Sequence, residues 1–196
     1  MSALRKMAVT STQRIEEVSS MGAEPGQSVV DLERYVPAYF TWIANKLSGG
    51  ASQAYLAAFD VGIETWRLLV LLAIEGPWSA QRICKVIGMD KASVSRVLKS
   101  MQKRGLVTIA LNEQDGRLRM ATITEAGLQL HGQILGLALA RETAFLSVLT
   151  PQEQAQLTEF LKRLHDNLPA VERATAAYLT QQHPQARLRR RHQYLE

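Results

Sequence analysis

The sequence has little cysteine and no long apolar run. Cys84 is the only cysteine among 196 residues, which excludes an internal disulfide framework or a multi-cysteine metal site and is typical of a reducing cytosol. The densest apolar run, residues 66–74, is interrupted by Arg67 and is shorter than the roughly 18 residues that a membrane span needs. No apolar block follows the basic residues near the N-terminus, so a secretory signal is not predicted. We therefore expect a cytoplasmic protein with one main domain.

The sequence also lacks the residue clusters that enzymes and metal proteins need. Its four histidines are spread over predicted long helices and the C-terminal tail, and no two have metal-ligand spacing on one helix face. They are His131, His165, His183 and His192. No nucleophile stands in a pattern that suggests an orienting base. We expect no catalytic activity, no metal and no cofactor.

Positive charge is concentrated in one part of the chain. Residues 82–119, here called the basic band, hold nine basic and three acidic side chains, whereas the whole chain has a formal net charge of +5. Four arginines in the last ten residues add a second basic cluster, so the rest of the chain is acidic on balance. A basic band on an acidic body is typical of a nucleic-acid footprint. The alternative is a solvated charged face without a partner.

The first half of the chain is predicted to be helical after a polar arm. Residues 1–28 are rich in Ser, Thr, Gln, Glu and Gly, which favours a disordered N-terminal arm. Apolar residues then recur at three and four between Asp31 and Leu47, with Pro37 forcing a bend or restart and the small residues 48–52 loosening the helix end. A second helix, residues 64–74, is apolar on most sides and therefore predicted to be central.

Two short helices with clear boundaries follow. Ser79 is predicted to cap the first, which ends at Gly88, and Asp90 to cap the second, which ends at Gly105. In the second helix an apolar stripe occupies one face, and the opposite face is basic with small residues. The stripe consists of Val94, Val97, Leu98 and Met101, and the opposite face of Ala92, Arg96, Lys99 and Lys103 flanked by Ser93, Ser95 and Ser100.

After Gly105 the apolar period changes from helical to alternating. Residues 107–111 and 119–124 are predicted to form a two-stranded hairpin around a turn that contains Asp115 and Gly116. Thr124 is predicted to begin a Leu-rich helix that reaches about residue 149. Thr150, Pro151 and Glu153 then predict a capped final helix that reaches about Leu179. The fold class is thus mainly α with a small β-hairpin.

This order of elements is that of a winged helix-turn-helix, in which one helix enters the DNA major groove. Ala92 is small enough to contact a thymine methyl group, and Ser93, Ser95 and Arg96 are predicted to contact base edges. Lys91, Lys99, Lys103 and Arg119 are predicted to neutralise phosphates. A winged helix that binds another protein instead of DNA remains an alternative.

Three segments resemble the MarR (multiple antibiotic resistance regulator) family of bacterial transcription factors. They are GIETWRLL from Gly62, RICKVIGMDKASVSR from Arg82 and DGRLRMATITEAG from Asp115. The third is the most specific, because it fits that family's wing pattern D-x-R, a strand, and T-x-x-G at the start of the next helix. The resemblance covers residues 31–179 and leaves out the N-terminal arm and the basic tail, residues 180–196.

The resemblance implies a homodimer that binds double-stranded DNA with a near-palindromic operator. Residues 31–48 and 125–179 would form the dimerisation helices, and residues 62–124 the DNA-binding lobe. Arg117 at the wing tip would enter the minor groove, and Asp115 would brace it. The alternative for Arg117 is an ion pair with Asp115 that only stabilises the wing.

The resemblance also implies a repressor that a small, often aromatic and anionic ligand, such as an aromatic acid or its CoA thioester, releases from DNA. The candidate lining residues are Tyr39, Trp42, Ile43, Trp66, Arg67 and Val70, although aromatic residues at helical spacing are more often core. Some members of the family sense oxidants through a reactive cysteine. Cys84 lies on the apolar side of a short helix beside Ile83, which favours buried packing, while Arg82 and Lys85 are the features that favour reactivity.

Overall fold

The computed structural model describes residues 30–112 and 115–186. The predicted arm, residues 1–28, and the last ten residues of the basic tail, 187–196, lie outside these ranges. The helices are α1 Val36–Phe59, α2 Ile63–Ile74, α3 Ala80–Ile87, α4 Lys91–Lys103, α5 Glu125–Leu146, α6 Pro151–Asp166 and α7 Leu168–Gln182. The strands are β1 Trp78–Ser79, β2 Val107–Leu111 and β3 Arg119–Ile123. By contacts the chain divides into two units, residues 1–50 and 51–196.

Helix α1 is longer than its sequence predicts. The small residues 48–52 do not loosen its end, and the helix continues to Phe59. Ala51 and Tyr55 are buried in the core of the second unit, and this burial outweighs the low helix propensity of Gly49 and Gly50. Pro37 lies in the first turn, where a missing backbone N–H is tolerated.

The core of the second unit is built around α2. Leu68, Leu69 and Leu72 are buried on this helix, which contacts α3, α4, α5 and β3. The prediction of a central apolar helix is therefore confirmed. Because α2 packs against both the short helices and β3, it holds the second unit together through apolar burial.

The boundaries of the two short helices are those expected from their caps. The Ser79 hydroxyl oxygen accepts a hydrogen bond from the Arg82 N–H at 3.2 Å, and Asp90 accepts one from the Ser93 N–H at 2.9 Å. Gly88 and Gly105 end the helices with φ of 70° and 72°, which glycine adopts without steric cost. Side-chain hydrogen bonds therefore set the first residues of α3 and α4, and left-handed glycines set their ends.

The sheet has three strands, whereas the sequence predicted two. Strands β2 and β3 form the expected hairpin, with Val107 opposite Ile123 and Leu111 opposite Arg119. The additional strand β1 pairs antiparallel with the other edge of β3, so that Trp78 lies opposite Ala121. Two residues are too short for an alternating apolar pattern, which is why the sequence did not reveal this strand.

Thr124 and Gly127 join the sheet to α5. The Thr124 N–H donates to the carbonyl of Leu106 at 3.0 Å, and its hydroxyl donates to the carbonyl of Gly105 at 2.6 Å. The same hydroxyl oxygen accepts the Gly127 N–H at 3.1 Å and so caps α5. A Cβ atom on Gly127 would collide with the Leu106 carbonyl oxygen. The pair therefore fixes the first turn of α5 against the end of α4.

The C-terminal segment forms two helices, so the prediction of one helix to Leu179 is wrong. Thr150 and Glu153 form the expected capping box at the start of α6. The break comes at Asn167, followed by Pro169 near the start of α7. Proline has no N–H to bond the carbonyl four residues earlier, and its ring clashes with that carbonyl. The long apolar periodicity conceals this break because it continues on both sides.

No helix within residues 30–112 and 115–186 is by itself long and apolar enough to cross a membrane. Taken together, α5 and α6 have the length and apolar composition of a span, but they meet at a bend of 103°.

We expect Gly127→Ala to lower the free energy of unfolding by about 1 to 3 kcal/mol, because the added methyl group meets a backbone carbonyl that cannot rotate away. Its Cβ would also lie 2.7 Å from Cγ1 of Ile123. The matched control is Gly132→Ala on the same helix, where a Cβ meets nothing within 4 Å. That substitution should raise stability by about 0.5 to 1 kcal/mol through helix propensity. Urea unfolding measures both, and equal effects would contradict the close approach at Gly127.

Candidate nucleic-acid interface

Helix α4 has one face in the core and one face in solvent. Val94, Leu98 and Met101 are buried, and Val97 is half-buried against the same core. On the opposite side Ala92, Arg96, Lys99 and Lys103 are exposed, as is Lys91, while Ser93 and Ser95 are half-buried at the margin. Core packing thus directs the basic face outward.

Three predicted residues at the start of α4 form a hydrogen-bonded chain. The Ser93 backbone N–H donates to Oδ1 of Asp90 at 2.9 Å. The Arg96 guanidinium donates through Nη2 to the Ser93 hydroxyl oxygen at 2.7 Å. Arg96 is therefore held over the N-terminal half of the helix, where side chains of a recognition helix meet base edges.

The charge on Asp90 is stabilised by this arrangement. Hydrogen bonds from the Ser93 side chain and backbone hold the pKa of the Asp90 carboxyl below its ordinary value, and the positive charge of Arg96 contributes in the same direction. A carboxylate at a helix N-terminus is also favoured by the helix dipole. The cap therefore works best when Asp90 is ionised.

The wing tip is closed by hydrogen bonds from both sides of the turn. The Asp115 N–H donates to Oδ1 of Asn112 at 2.9 Å, and the Asn112 N–H donates to the Leu118 carbonyl at 2.8 Å. The Arg117 N–H donates to Oδ1 of Asp115 at 3.0 Å. Asp115 thus braces the backbone of Arg117, and no ion pair between these two side chains is present in the described part of the wing. Arg117 and Arg119 are exposed.

Two residues at the margin of the candidate interface were not predicted from the sequence. Asn112 supplies the turn acceptor just described, and an asparagine before an Asp-Gly turn is a recognisable signal for that role. Arg104 belongs to the basic band but its guanidinium contacts Asp60, with Nη1 donating to the Asp60 carbonyl at 2.6 Å. No sequence pattern indicates this contact, because the two residues are 44 positions apart.

The candidate ligand residues fall into two groups, one in each unit. In the first unit Tyr39 and Trp42 make an edge-to-face contact with ring centroids 5.6 Å apart, and each is more than 40% exposed. Ile43 is exposed on the same helix. In the second unit Trp66 is half-buried in α2, as are Arg67 and Val70.

Trp66 belongs to an aromatic cluster that the sequence did not reveal. Its ring stacks on His131 at 5.2 Å between centroids and contacts the edge of Tyr55 at 5.9 Å. Burial raises the pKa of the Tyr55 hydroxyl, and the positive charge of Arg141 acts in the opposite direction. The three rings come from α1, α2 and α5, whose sequence separation hides their proximity.

Cys84 is buried and has the properties of a packing residue. It is 8% exposed beside the fully buried Ile83. Burial, followed by the nearby Asp90 carboxylate, raises the pKa of its thiol. A raised pKa reduces the thiolate fraction on which reaction with oxidants depends.

Metal ligation has no candidate site within residues 30–112 and 115–186, because no group of three His, Cys, Asp or Glu side chains is suitably placed.

Two short helices, the second with a basic outer face, followed by a hairpin with an arginine at its tip, define a winged helix-turn-helix protein.

Part of the chain matches a known protein family. The model of the MarR family matches residues 59–118, which include α2, both short helices and β2 but not β3. A crystal structure of a MarR/EmrR family transcriptional regulator from an Acinetobacter species is 29% identical, with a TM-score of 0.67, and the match covers 72% of this chain and 99% of that one. The segment from α2 to β2 is therefore that of a MarR-family DNA-binding transcriptional regulator, and the chain has the fold of that family. These matches are to transcriptional regulators, as expected for a chain that is not an enzyme.

Two curated relatives are similar over part of the chain. An uncharacterized HTH-type transcriptional regulator, YwaE of Bacillus subtilis, is 26% identical over 113 residues, which are 58% of this chain and 66% of that protein. The HTH-type transcriptional repressor IacR of Pseudomonas putida is 30% identical over 93 residues, which are 46% of this chain and 55% of that protein. The chain thus spans just over half to about two thirds of the length of these relatives.

We expect the pH dependence of stability to report the Asp90 cap. Because the folded-state pKa of Asp90 lies below its ordinary value of 3.8, the stabilisation is present above that value and is lost as the pH falls through the folded-state pKa. Asp90→Asn keeps a good N-cap but cannot titrate. Wild-type stability relative to this variant should therefore be constant at neutral pH and decline in acid. Urea unfolding across the acid range measures it, and parallel pH profiles would contradict the assignment.

Proposed function

We propose that the chain binds double-stranded DNA sequence-specifically as a homodimer, and represses transcription until a small aromatic anion releases it. The observation that carries the DNA-binding part is the outward basic face of α4, opposite a stripe that is buried in the core. A helix packed on one side and basic on the other is suited to the major groove. The solved complex of Staphylococcus aureus MepR with DNA, 21% identical with a TM-score of 0.61, has the same fold.

Within that proposal the residues of α4 divide by position. Ser93, Ser95 and Arg96 contact base edges in the first half of the helix, and Ala92 lies close enough to contact a thymine methyl group. Arg96 exchanges its bond to the Ser93 hydroxyl for the two acceptors of a guanine edge. Lys91, Lys99, Lys103 and Arg119 neutralise phosphates and fix the register of the protein on the duplex.

The wing supplies a second, different contact. Arg117 stands at the tip of a turn closed by Asn112 and Asp115, and its guanidinium is not needed for that closure. A narrow minor groove concentrates negative potential and attracts an inserted arginine. Asp115 therefore orients Arg117 by bonding its backbone N–H, and the positive charge of the Arg117 side chain remains available to bind DNA.

We expect Arg96→Ala to cost about 1 to 3 kcal/mol of binding free energy and to relax sequence preference, because it removes a base contact. Lys103→Ala should weaken binding to all DNA sequences alike and reduce the slope of log K against log salt concentration by about one. The control is Lys162→Ala, which removes the same charge from α6, away from the winged module. Fluorescence anisotropy on a duplex selected from a random library and on a mixed-sequence duplex measures both effects. Equal losses on the two duplexes for Arg96→Ala would contradict its role.

The C-terminal helices support the homodimer. Neither α6 nor α7 has a buried residue, and both carry large apolar side chains that are 40 to 60% exposed. These are Phe160, Leu161, Leu164, Leu168, Val171 and Tyr178. So much apolar surface on adjacent helices is typical of a subunit interface. A two-fold dimer then requires a near-palindromic operator, because each lobe meets one half-site.

The ligand-release part of the proposal is supported by Trp66 and by relatives. Trp66 lies between Tyr55 and His131, and Arg67 follows it on α2. An aromatic surface near a cation suits an aromatic carboxylate or its CoA thioester. Tyr39 and Trp42 offer a further aromatic pair in the first unit. CouR of Rhodococcus jostii, 17% identical with a TM-score of 0.62, was solved with bound p-coumaroyl-CoA, and IacR is a repressor by name.

Cys84 does not favour the redox alternative. Its burial and its raised pKa both lower reactivity towards peroxide. Small-molecule release therefore remains the proposal for how the regulator responds. No specific observation favours the protein-binding alternative for the winged helix, because the exposed face of α4 is basic and not apolar.

We expect aromatic acids, or their CoA thioesters, to raise the melting temperature and to lower DNA affinity in parallel. The physical reason is that a ligand stabilises the conformation that it binds, and release requires that conformation to bind DNA less well. A panel of benzoate-type and cinnamate-type acids and their thioesters is screened by thermal shift and then by anisotropy on prebound duplex. Arg67→Gln should weaken the response to acids, whereas the neutral amides serve as matched controls. A melting shift without loss of DNA would contradict regulation by that compound.

A further inference from the structure

Arg104, the C-cap residue of α4, differs from Arg96 because its guanidinium contacts a distant part of the chain, whereas that of Arg96 bonds a residue of its own helix. Nη1 donates to the backbone carbonyl of Asp60 at 2.6 Å, and Nη2 lies 3.8 Å from the Asp60 carboxylate. The Arg104 side chain is 38% exposed, so part of its surface is covered. Lys103, the preceding residue, is exposed as well and is expected to contact phosphate.

The Asp60 carbonyl lies directly beyond the C-terminal end of α1. Asp60 directly follows the last residue of α1 and has a φ of 55°, the left-handed conformation that ends many helices. The last carbonyls of a helix have no partner within it and carry partial negative charge. The last turn of α1 contains no basic residue of its own. Arg104 supplies both the donor and the positive charge from a distant part of the chain.

Arg104 also ends the recognition helix. It is the C-cap residue of α4, and its backbone N–H donates to the Ser100 carbonyl at 3.1 Å. The backbone of one residue therefore closes α4 while its side chain closes α1. The C-terminal ends of α1 and α4 carry like partial charges that repel each other, and Arg104 joins them.

The end of α1 is also where the aromatic cluster begins. Tyr55 lies in its last turns, its carbonyl accepts the Val61 N–H at 3.5 Å, and its ring contacts Trp66. A displacement of Tyr55 would therefore move the carbonyl that Arg104 holds. The path from the candidate ligand residues to the end of α4 is short and consists of direct contacts.

We propose that Arg104 is a positioning residue that does not contact phosphate. Its side chain caps α1 and thereby fixes the position and tilt of α4 for DNA binding. The inference rests on the proposed DNA-binding function and assigns the last basic residue of the helix a different role from that of its neighbour. It also makes the Asp60–Arg104 contact the connection between the aromatic cluster and the recognition helix.

The test compares Arg104→Gln with Lys103→Gln, which remove the same charge from adjacent positions. Anisotropy is measured over a salt series, well below the melting temperature of each variant, on a duplex selected by the wild-type protein. We expect Arg104→Gln to lower the affinity about three- to tenfold with an unchanged salt slope, because the hydrogen bond that it removes lies within the protein. Lys103→Gln should lower the slope by about one.

Amide hydrogen exchange without DNA provides a second measurement. Arg104→Gln should speed exchange in the last turns of both α1 and α4, and Lys103→Gln should not. A salt slope lowered by Arg104→Gln would identify a phosphate contact and overturn the proposal, as would an unchanged affinity or exchange that is equal in the two variants. If the wild-type protein bound no duplex at low salt, the DNA-binding function would fail, while the exchange data would still decide whether Arg104 caps α1.

Discussion

The structure depends on one close approach, at Gly105 and Leu106, which follow the end of α4. Thr124 bonds both carbonyls of that pair, and only a glycine at position 127 lets the next helix pass so near. These contacts set the end of α4, the start of α5 and the end of β3 at a single point. Hydrogen bonds to backbone atoms hold it, so side-chain motion alone does not release it. The junction therefore helps to hold the exposed basic face of α4 in place.

The same principle operates at the other end of α4. Asp90 fixes the first turn, Ser93 bonds Asp90 and Arg96, and the buried stripe sets the rotation of the helix about its axis. Position, rotation and side-chain direction are thus determined by different interactions. Preorganisation of this kind reduces the conformational entropy lost on binding DNA. Because separate interactions fix each property, capping, buried and exposed basic side chains can alternate along one short helix.

Local chemistry made much of this molecule predictable, and long-range packing accounts for the rest. The caps at Ser79, Asp90 and Thr150 and the left-handed glycines follow from neighbouring residues, and they were predicted correctly. The continuation of α1 past Gly50 depends on burial of Tyr55, which only the tertiary fold supplies. The stacking of Trp66 on His131 and the contact of Arg104 with Asp60 join residues far apart in sequence. The roles of the DNA-contacting residues remain predictions.

The short strand β1 has a consequence for how such proteins diversify. Trp78 and Ser79 pair with the centre of β3, and Ser79 also caps α3, so the wing is anchored to the helix-turn-helix on its inner edge. A shift of β3 by a single residue would turn its side chains to the opposite face and displace the cap as well. A change of chain length is therefore least disruptive in the loop beyond Leu111, where neither the strand pairing nor the Ser79 cap is disturbed. Wings of different reach can evolve there on an otherwise constant scaffold.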